Sequence, residues 1–148
     1  MHIADCIEGC FQLMGGDFTN AGKASGDLKS ILAKLGVSQD VIRRASIAAF
    51  EAEMNVIIHA VAGTMHYMVN NEEVKIILTD MGPGIESIER AMQEGYSTAP
   101  DWVREMGWGA GMGLPNIKRN SDNLKIDSVV GEGTTLEIIL YIRKEKTC

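Results

Sequence analysis

The sequence predicts a single α/β domain, and three observations carry that reading. The 148 residues hold no internal repeat, low-complexity tract or linker, so one unit spanning 1–148 is expected. Two helical stretches with apolar periodicity occupy the first half. Two pairs of short apolar runs, each joined by a polar or glycine-rich turn, read as hairpins.

The elements follow in order. Cys6 to Met14 alternates as a first strand, with Phe11 and Leu13 on one side and Gln12 on the other, until Gly15-Gly16-Asp17 breaks it. A helix is expected from about Asn20, with Ala24, Leu28, Ile31, Leu32 and Leu35 as its stripe and Gly36 as its stop. Ser38 then caps a long helix running to about Val61. Thr64 to Val69 and Val74 to Thr79 form a hairpin across Asn70-Asn71-Glu72-Glu73. Asp80 to Gly84 reads as a loop and Ile85 to Gln93 as a short helix. Glu94 to Gly113 has five glycines and no periodicity, and loops of that length inside a domain are commonly functional. Leu114 to Ser121 is helical, with Pro115 in its first turn. Leu124 to Val130 and Thr134 to Ile142 close the chain as a hairpin over Gly131-Glu132-Gly133, before a polar tail.

Composition narrows the functional classes. Forty-five per cent apolar and 23% charged residues suit a globular protein with a core of its own. A net charge of −6 argues against a nucleic-acid partner, whose binders carry a basic face. No apolar run reaches membrane-spanning length, and Met1-His2-Ile3-Ala4-Asp5 lacks the basic start of a signal peptide. Cys6, Cys10 and Cys148 are sparse and odd in number, as for reduced thiols. Cytoplasmic localisation without membrane or nucleic-acid binding is the expectation. Cys6 and Cys10 have no partners at metal-ligand spacing, so no zinc site is expected.

The long helix carries polar groups in an apolar setting. Ile47, Phe50, Met54, Ile57, Ile58 and Val61 fill one arc, and Ala45, Ala49, Ala52 and Val56 fill most of the other. Glu51, Asn55 and His59 stack between them at i, i+4, i+8. A buried carboxylate needs a partner. One solution is a salt bridge to Arg43 or Arg44 with an amide bond across the core. The other is a strip facing a ligand cavity, with Glu51 taking a proton and Asn55 offering its oxygen to Mg²⁺. Both stay open on the helix alone.

Two glycine clusters add weight. Asp80-x-Gly82-x-Gly84 follows a strand, where glycines permit positive φ and close ligand approach. Gly107 to Gly113 alternates glycines into a helix start, which suits backbone contacts to phosphates. It is neither a Rossmann fingerprint nor a Walker loop. Trp108, Met106 and Met112 bring more apolar area than a solvent loop ordinarily carries.

In this order the motifs resemble those of the GHKL (Bergerat-fold) ATP-binding superfamily of gyrase, Hsp90, MutL and histidine-kinase ATPase domains. Glu51-x-x-x-Asn55 matches its N-box and Asp80-x-Gly82-x-Gly84 its first glycine box. Gly109-x-Gly111-x-Gly113-Leu114 matches its second, and Gly131-x-Gly133-Thr134 its closing hairpin. The compact size is similar to the anti-sigma-factor and switch-protein serine kinases (the RsbT-, RsbW- and SpoIIAB-like group). Ala91 to Thr98, Gly113-Leu114-Pro115 and Ile126-Asp127-Ser128 look most like the switch kinases.

The resemblance implies an α+β, two-layer sandwich: a mixed, mainly antiparallel sheet with helices on one face. It implies binding of ATP/ADP and Mg²⁺, with Asp80 accepting from the adenine amino group and Thr134 supporting that contact. Asn55 would ligate Mg²⁺, and Gly109, Gly111, Met112 and Gly113 would wrap the triphosphate. Gly82 and Gly84, of the first glycine box, would also be cofactor-binding, and His59 and Arg104 could reach the phosphates. Glu51 would be the general base of an ATP-dependent protein serine/threonine kinase. The implied substrate is a STAS-domain regulator, with a sigma factor as a further partner and a homodimer as the expected assembly. The alternative is a nucleotide-gated module that sequesters a sigma factor with little or no kinase activity. The run Ala99 to Glu105 matches no part of the switch kinases.

Overall fold

A computed structural model describes residues 6–95, 97, 99, 101 and 112–142. In chain order it shows β1 (Ile7–Met14), α1 (Lys23–Lys34), α2 (Gln39–His59), β2 (Ala62–Val69) and β3 (Glu73–Met81). After these come α3 (Ile88–Ala91), α4 (Gly113–Asn120), β4 (Asn123–Val129) and β5 (Gly133–Tyr141). The strands form one five-stranded sheet in the order β1-β2-β3-β5-β4. Every described pairing is antiparallel, so the expected mixed component does not occur among these strands. The α+β, two-layer architecture is otherwise as the sequence led one to expect.

The sheet buries one face. Met65, Val69, Val74, Ile76, Leu78, Leu136, Ile138 and Leu140 alternate inward along their strands and join Leu28 and Leu32 of α1 and Ile117 of α4 in one core. The α2 contribution is mainly small: Ala45, Ala48, Ala49, Ala52 and Val56 are buried in that cluster. Short side chains let the helix axis approach its neighbours closely, which positions its polar strip. The opposite arc is less enclosed than expected. Met54 and Ile57 are buried, Ile47, Phe50 and Ile58 are half-buried, and Val61 is 71% exposed.

Several boundaries shift for identifiable reasons. Asn20 sits in a 3-10 turn with its amide bonded to Asp17, and α1 starts only after Gly22 at φ 92°. The long helix ends at His59 because the Val61 N–H bonds to the Met81 carbonyl at 2.9 Å. Asp80 is not in a loop: β3 runs on through it, with Gly63 as its partner in β2. The short helix begins at Ile88, since the Ile85 N–H is taken by Ser128 Oγ at 2.7 Å and Ser87 caps the turn. Ser38 caps α2 as expected, accepting from the Val41 N–H at 3.4 Å.

A second tie sets α2 against the far hairpin. Arg44 pairs with Asp122 Oδ1 at 2.8 Å, and Asp122 Oδ2 accepts the Tyr141 N–H at 2.8 Å. Arg43 pairs with Asp40 at 3.1 Å. Both arginines therefore pair away from Glu51.

Candidate nucleotide site

Two polar clusters flank the C-terminal half of α2. At the first, α4 packs against the helix so that Gly113 stands beside Glu51 and Asn55. A Cβ at Gly113 would lie 3.1 Å from Asn55 Oδ1 and 3.6 Å from Glu51 Oε2. Gly113 does not have a positive φ, so space rather than backbone freedom is what the position needs. No side chain among the described residues caps α4, whose first turn, Gly113-Leu114-Pro115, begins beside Asn55. Glu51 Oε1 accepts a hydrogen bond from Asn116 Nδ2 at 3.4 Å. Burial pushes the Glu51 carboxyl above the ordinary glutamate range, and the Asn116 bond partly opposes this.

The second cluster lies where α2 ends. Asp80 Oδ1 accepts the Thr134 N–H at 3.2 Å across from β3 to β5. Burial raises the Asp80 carboxyl above the ordinary aspartate range, opposed by the N–H groups of Thr134 and Gly82. The Thr134 hydroxyl pairs with Ser128 Oγ at 2.8 Å. Glycines pack tightly around this carboxylate. A Cβ on Gly82 would lie 3.0 Å from Asp80 Oδ1, and one on Gly133 would collide with the Asp80 carbonyl. Gly84 has φ 77°, and a Cβ there would stand 2.5 Å from the Val129 carbonyl. Only glycine meets both demands.

One helix links the clusters. The Gly82 position abuts Ala60, the residue after α2, while Asn55 faces Gly113. Five residues at 1.5 Å each separate them by about 7.5 Å along the axis. His59 lies at the exposed last turn of α2, and partial shielding of its ring pulls the imidazole below the ordinary histidine range. Met112 precedes α4 and its carbonyl accepts the Asn116 N–H at 2.9 Å. Arg104, Gly109 and Gly111, and with them the expected lid, lie outside the described residues.

Three contributors were assigned no role from the sequence. Asn116 bonds Glu51, Ser128 bonds Thr134, and Glu53 is a buried carboxylate at 1% exposure. Glu53 Oε1 accepts the Ser25 N–H at 3.0 Å and Oε2 the Gly22 N–H at 3.1 Å, so it caps α1 from α2. Its position one helical face away from Glu51, among alanines, was the available signal. Two cavities of similar size among the described residues lie elsewhere. One of about 390 Å³ is lined by Met92, Lys118, Ser121 and Leu124, and the other by Ser38, Arg44 and Tyr141.

The raised Asp80 carboxyl has a stability consequence with a definite sign. A carboxyl whose folded pKa exceeds its unfolded one costs stability when ionised. That cost is complete above the folded value and vanishes below the ordinary aspartate value. Asp80→Asn, which can still accept the Thr134 N–H, should therefore be more stable than the parent at pH 7. The advantage should shrink as pH falls through that window. Urea unfolding at several pH values checks this; an advantage that grows toward acid pH would contradict it.

Residues 17–140 match the family model of the histidine kinase-like ATPase domain, and the chain belongs to that family. Similar proteins include several anti-sigma F factors and a serine/threonine-protein kinase. The chain is 30% identical over 123 residues to the anti-sigma F factor of Anoxybacillus flavithermus, covering 79% of this chain and 81% of that one. It is 33% identical over 115 residues to the anti-sigma F factor of Clostridium beijerinckii, covering 74% and 77%. It is also 41% identical over 70 residues to the serine/threonine-protein kinase RsbT of Bacillus subtilis; that match spans about half of either chain, 47%. No described helix is long and apolar enough to cross a membrane.

Proposed function

We propose that the chain is an ATP-dependent protein serine/threonine kinase of the anti-sigma and switch type, acting on a STAS-domain regulator. The observation that carries this reading is the placement of Glu51, half-buried with a raised carboxyl, one turn from Asn55 and beside Gly113 at the start of α4. A domain that only sensed nucleotide would have no use for a carboxylate there.

The donor set fits a magnesium nucleotide. Asn55 presents an amide oxygen into the space that Gly113 keeps open, and Mg²⁺ commonly takes one or two protein oxygens together with substrate phosphates. When bound, the ion supplies charge neutralisation at the phosphates. Asp80 accepts from the adenine amino group, with Thr134 and Gly82 holding its carboxylate, and Gly84 lets the loop pass close to β4. Gly109, Gly111, Met112 and Gly113 would enclose the triphosphate, with His59 and Arg104 as further phosphate-side groups.

In the transfer, Glu51 takes the proton of the substrate serine hydroxyl as that oxygen bonds the γ-phosphorus. The bond from that phosphorus to the bridging oxygen of ADP breaks, leaving phosphoserine and ADP. A carboxyl raised by burial is, in its ionised form, a better proton acceptor than a free glutamate.

A second reading, a nucleotide-gated module that sequesters a sigma factor, draws support from the coverage of the anti-sigma F factors, which exceeds that of the kinase RsbT. Incubating the protein with Mg·ATP and a STAS-domain partner separates the two. The kinase reading predicts ADP and one phosphoserine on the partner by mass spectrometry. Stable, nucleotide-dependent capture of a sigma factor with no phosphoserine formed would favour the second. A homodimer and a cytoplasmic location belong to the same proposal.

A further inference from the structure

We infer that Asn116 is a positioning residue for the Glu51 carboxylate, held in turn by Arg119, which Glu94 anchors from the segment following α3. The catalytic consequence rests on the kinase reading above; the relay itself rests on contacts. Arg119 Nη1 donates to Asn116 Oδ1 at 3.3 Å, and Asn116 Nδ2 donates to Glu51 Oε1 at 3.4 Å. Arg119 Nη2 makes an ion pair with Glu94 Oε1. Four side chains thus connect the stretch entering the expected lid to the proposed base.

The chemistry allows one orientation of the amide. A guanidinium only donates and an ionised carboxylate only accepts, so Asn116 must turn its oxygen to Arg119 and its NH₂ to Glu51. Aspartate would set a like charge against Glu51, and alanine would leave both neighbours without the link. The spacing makes the arrangement local: Asn116 and Arg119 lie three apart on α4, and Asn116 is the one that reaches Glu51.

The Glu94–Arg119 pair is the exposed end, with its side chains 56% and 53% accessible. Exposed pairs of this kind add little stability. Its effect is therefore on orientation, and a rearrangement of the segment at Glu94 would free Arg119 and, through it, the Asn116 amide.

The test uses the full chain with ¹⁵N labelling and the phosphotransfer assay together. In the nucleotide-free protein, the Asn116 side-chain amide resonance should move in Glu51→Gln and Arg119→Ala, and by less in Glu94→Gln. With Mg·ATP and a STAS-domain substrate, Asn116→Ala should lower kcat about tenfold with the KM for ATP unchanged. Asn116→Asp should be worse than Asn116→Ala. In a Glu51→Gln background, Asn116→Ala should cost nothing further. An Asn116 amide that stays fixed in every variant overturns the relay, even if the parent protein phosphorylates normally. Amide shifts as expected in a protein that transfers no phosphate would uphold the relay while removing the kinase reading. A kcat loss in Asn116→Ala that persists undiminished in the Glu51→Gln background would also overturn it.

Discussion

Replacing Glu51 with alanine is expected to lower phosphotransfer by a factor of about 10²–10⁴, the range for loss of a positioned general base. Affinity for Mg·ATP should stay within about twofold, because the base serves the incoming hydroxyl rather than the nucleotide. No neighbouring carboxylate on α2 can substitute. Glu53, two residues on, spends both oxygens on the Gly22 and Ser25 N–H groups of another helix. Glu51→Gln sharpens the test, since it preserves an acceptor for Asn116 Nδ2 and most of the packing but cannot take a proton. Both variants should be similarly defective in kcat, measured at saturating ATP. A Gln variant with near-parental turnover would mean that Glu51 holds structure and that the proton leaves by another route.

The largest expected effect on stability belongs to Glu53. Truncation to alanine removes two acceptors at once and strands the N–H groups that begin α1, one of them fully buried. Each buried unsatisfied donor costs about 1–3 kcal/mol, so the variant should lose about 2–4 kcal/mol. For a domain of this size that corresponds to a fall in Tm of about 6–12 °C. Glu53→Gln keeps one acceptor and should lie between. Urea unfolding of the three proteins reads the series directly. A loss under about 1 kcal/mol for the alanine variant would show that α1 keeps its start without this cap.

The two carboxylates explain what the sequence could and could not reveal. Glu51 and Glu53 stand on the same helix in similar apolar company, and the i, i+4 alignment of Glu51 with Asn55 was a local signal. The role of Glu53 depends on Gly22 and Ser25, about thirty residues earlier, and no local pattern encodes that meeting. The same contrast runs through the fold. Period-2 alternation marked the strands, and Ser38 and Gly36 marked helix ends, because those signals are local. The extension of β3 through Asp80 was hidden, since it depends on Gly63 of another strand lying opposite. The start of α3 was hidden too, because Ser128 takes the Ile85 N–H from across the fold. At the candidate site, the residues legible from motifs are those whose spacing is set by one helix or one loop. Asn116 and Ser128 act by reaching between elements, so only the packed chain displays them.

Asp80 and the strip on α2 are proposed to form one nucleotide site. Calorimetric titration of the protein with Mg·ATP, beside Asp80→Asn, tests it most directly. Saturable binding at one site per chain is expected, weakened at least about tenfold in a variant that remains folded, as when a charged acceptor buried against its ligand is neutralised. Absence of binding heat at several temperatures, or equal affinity in the two proteins, would contradict it.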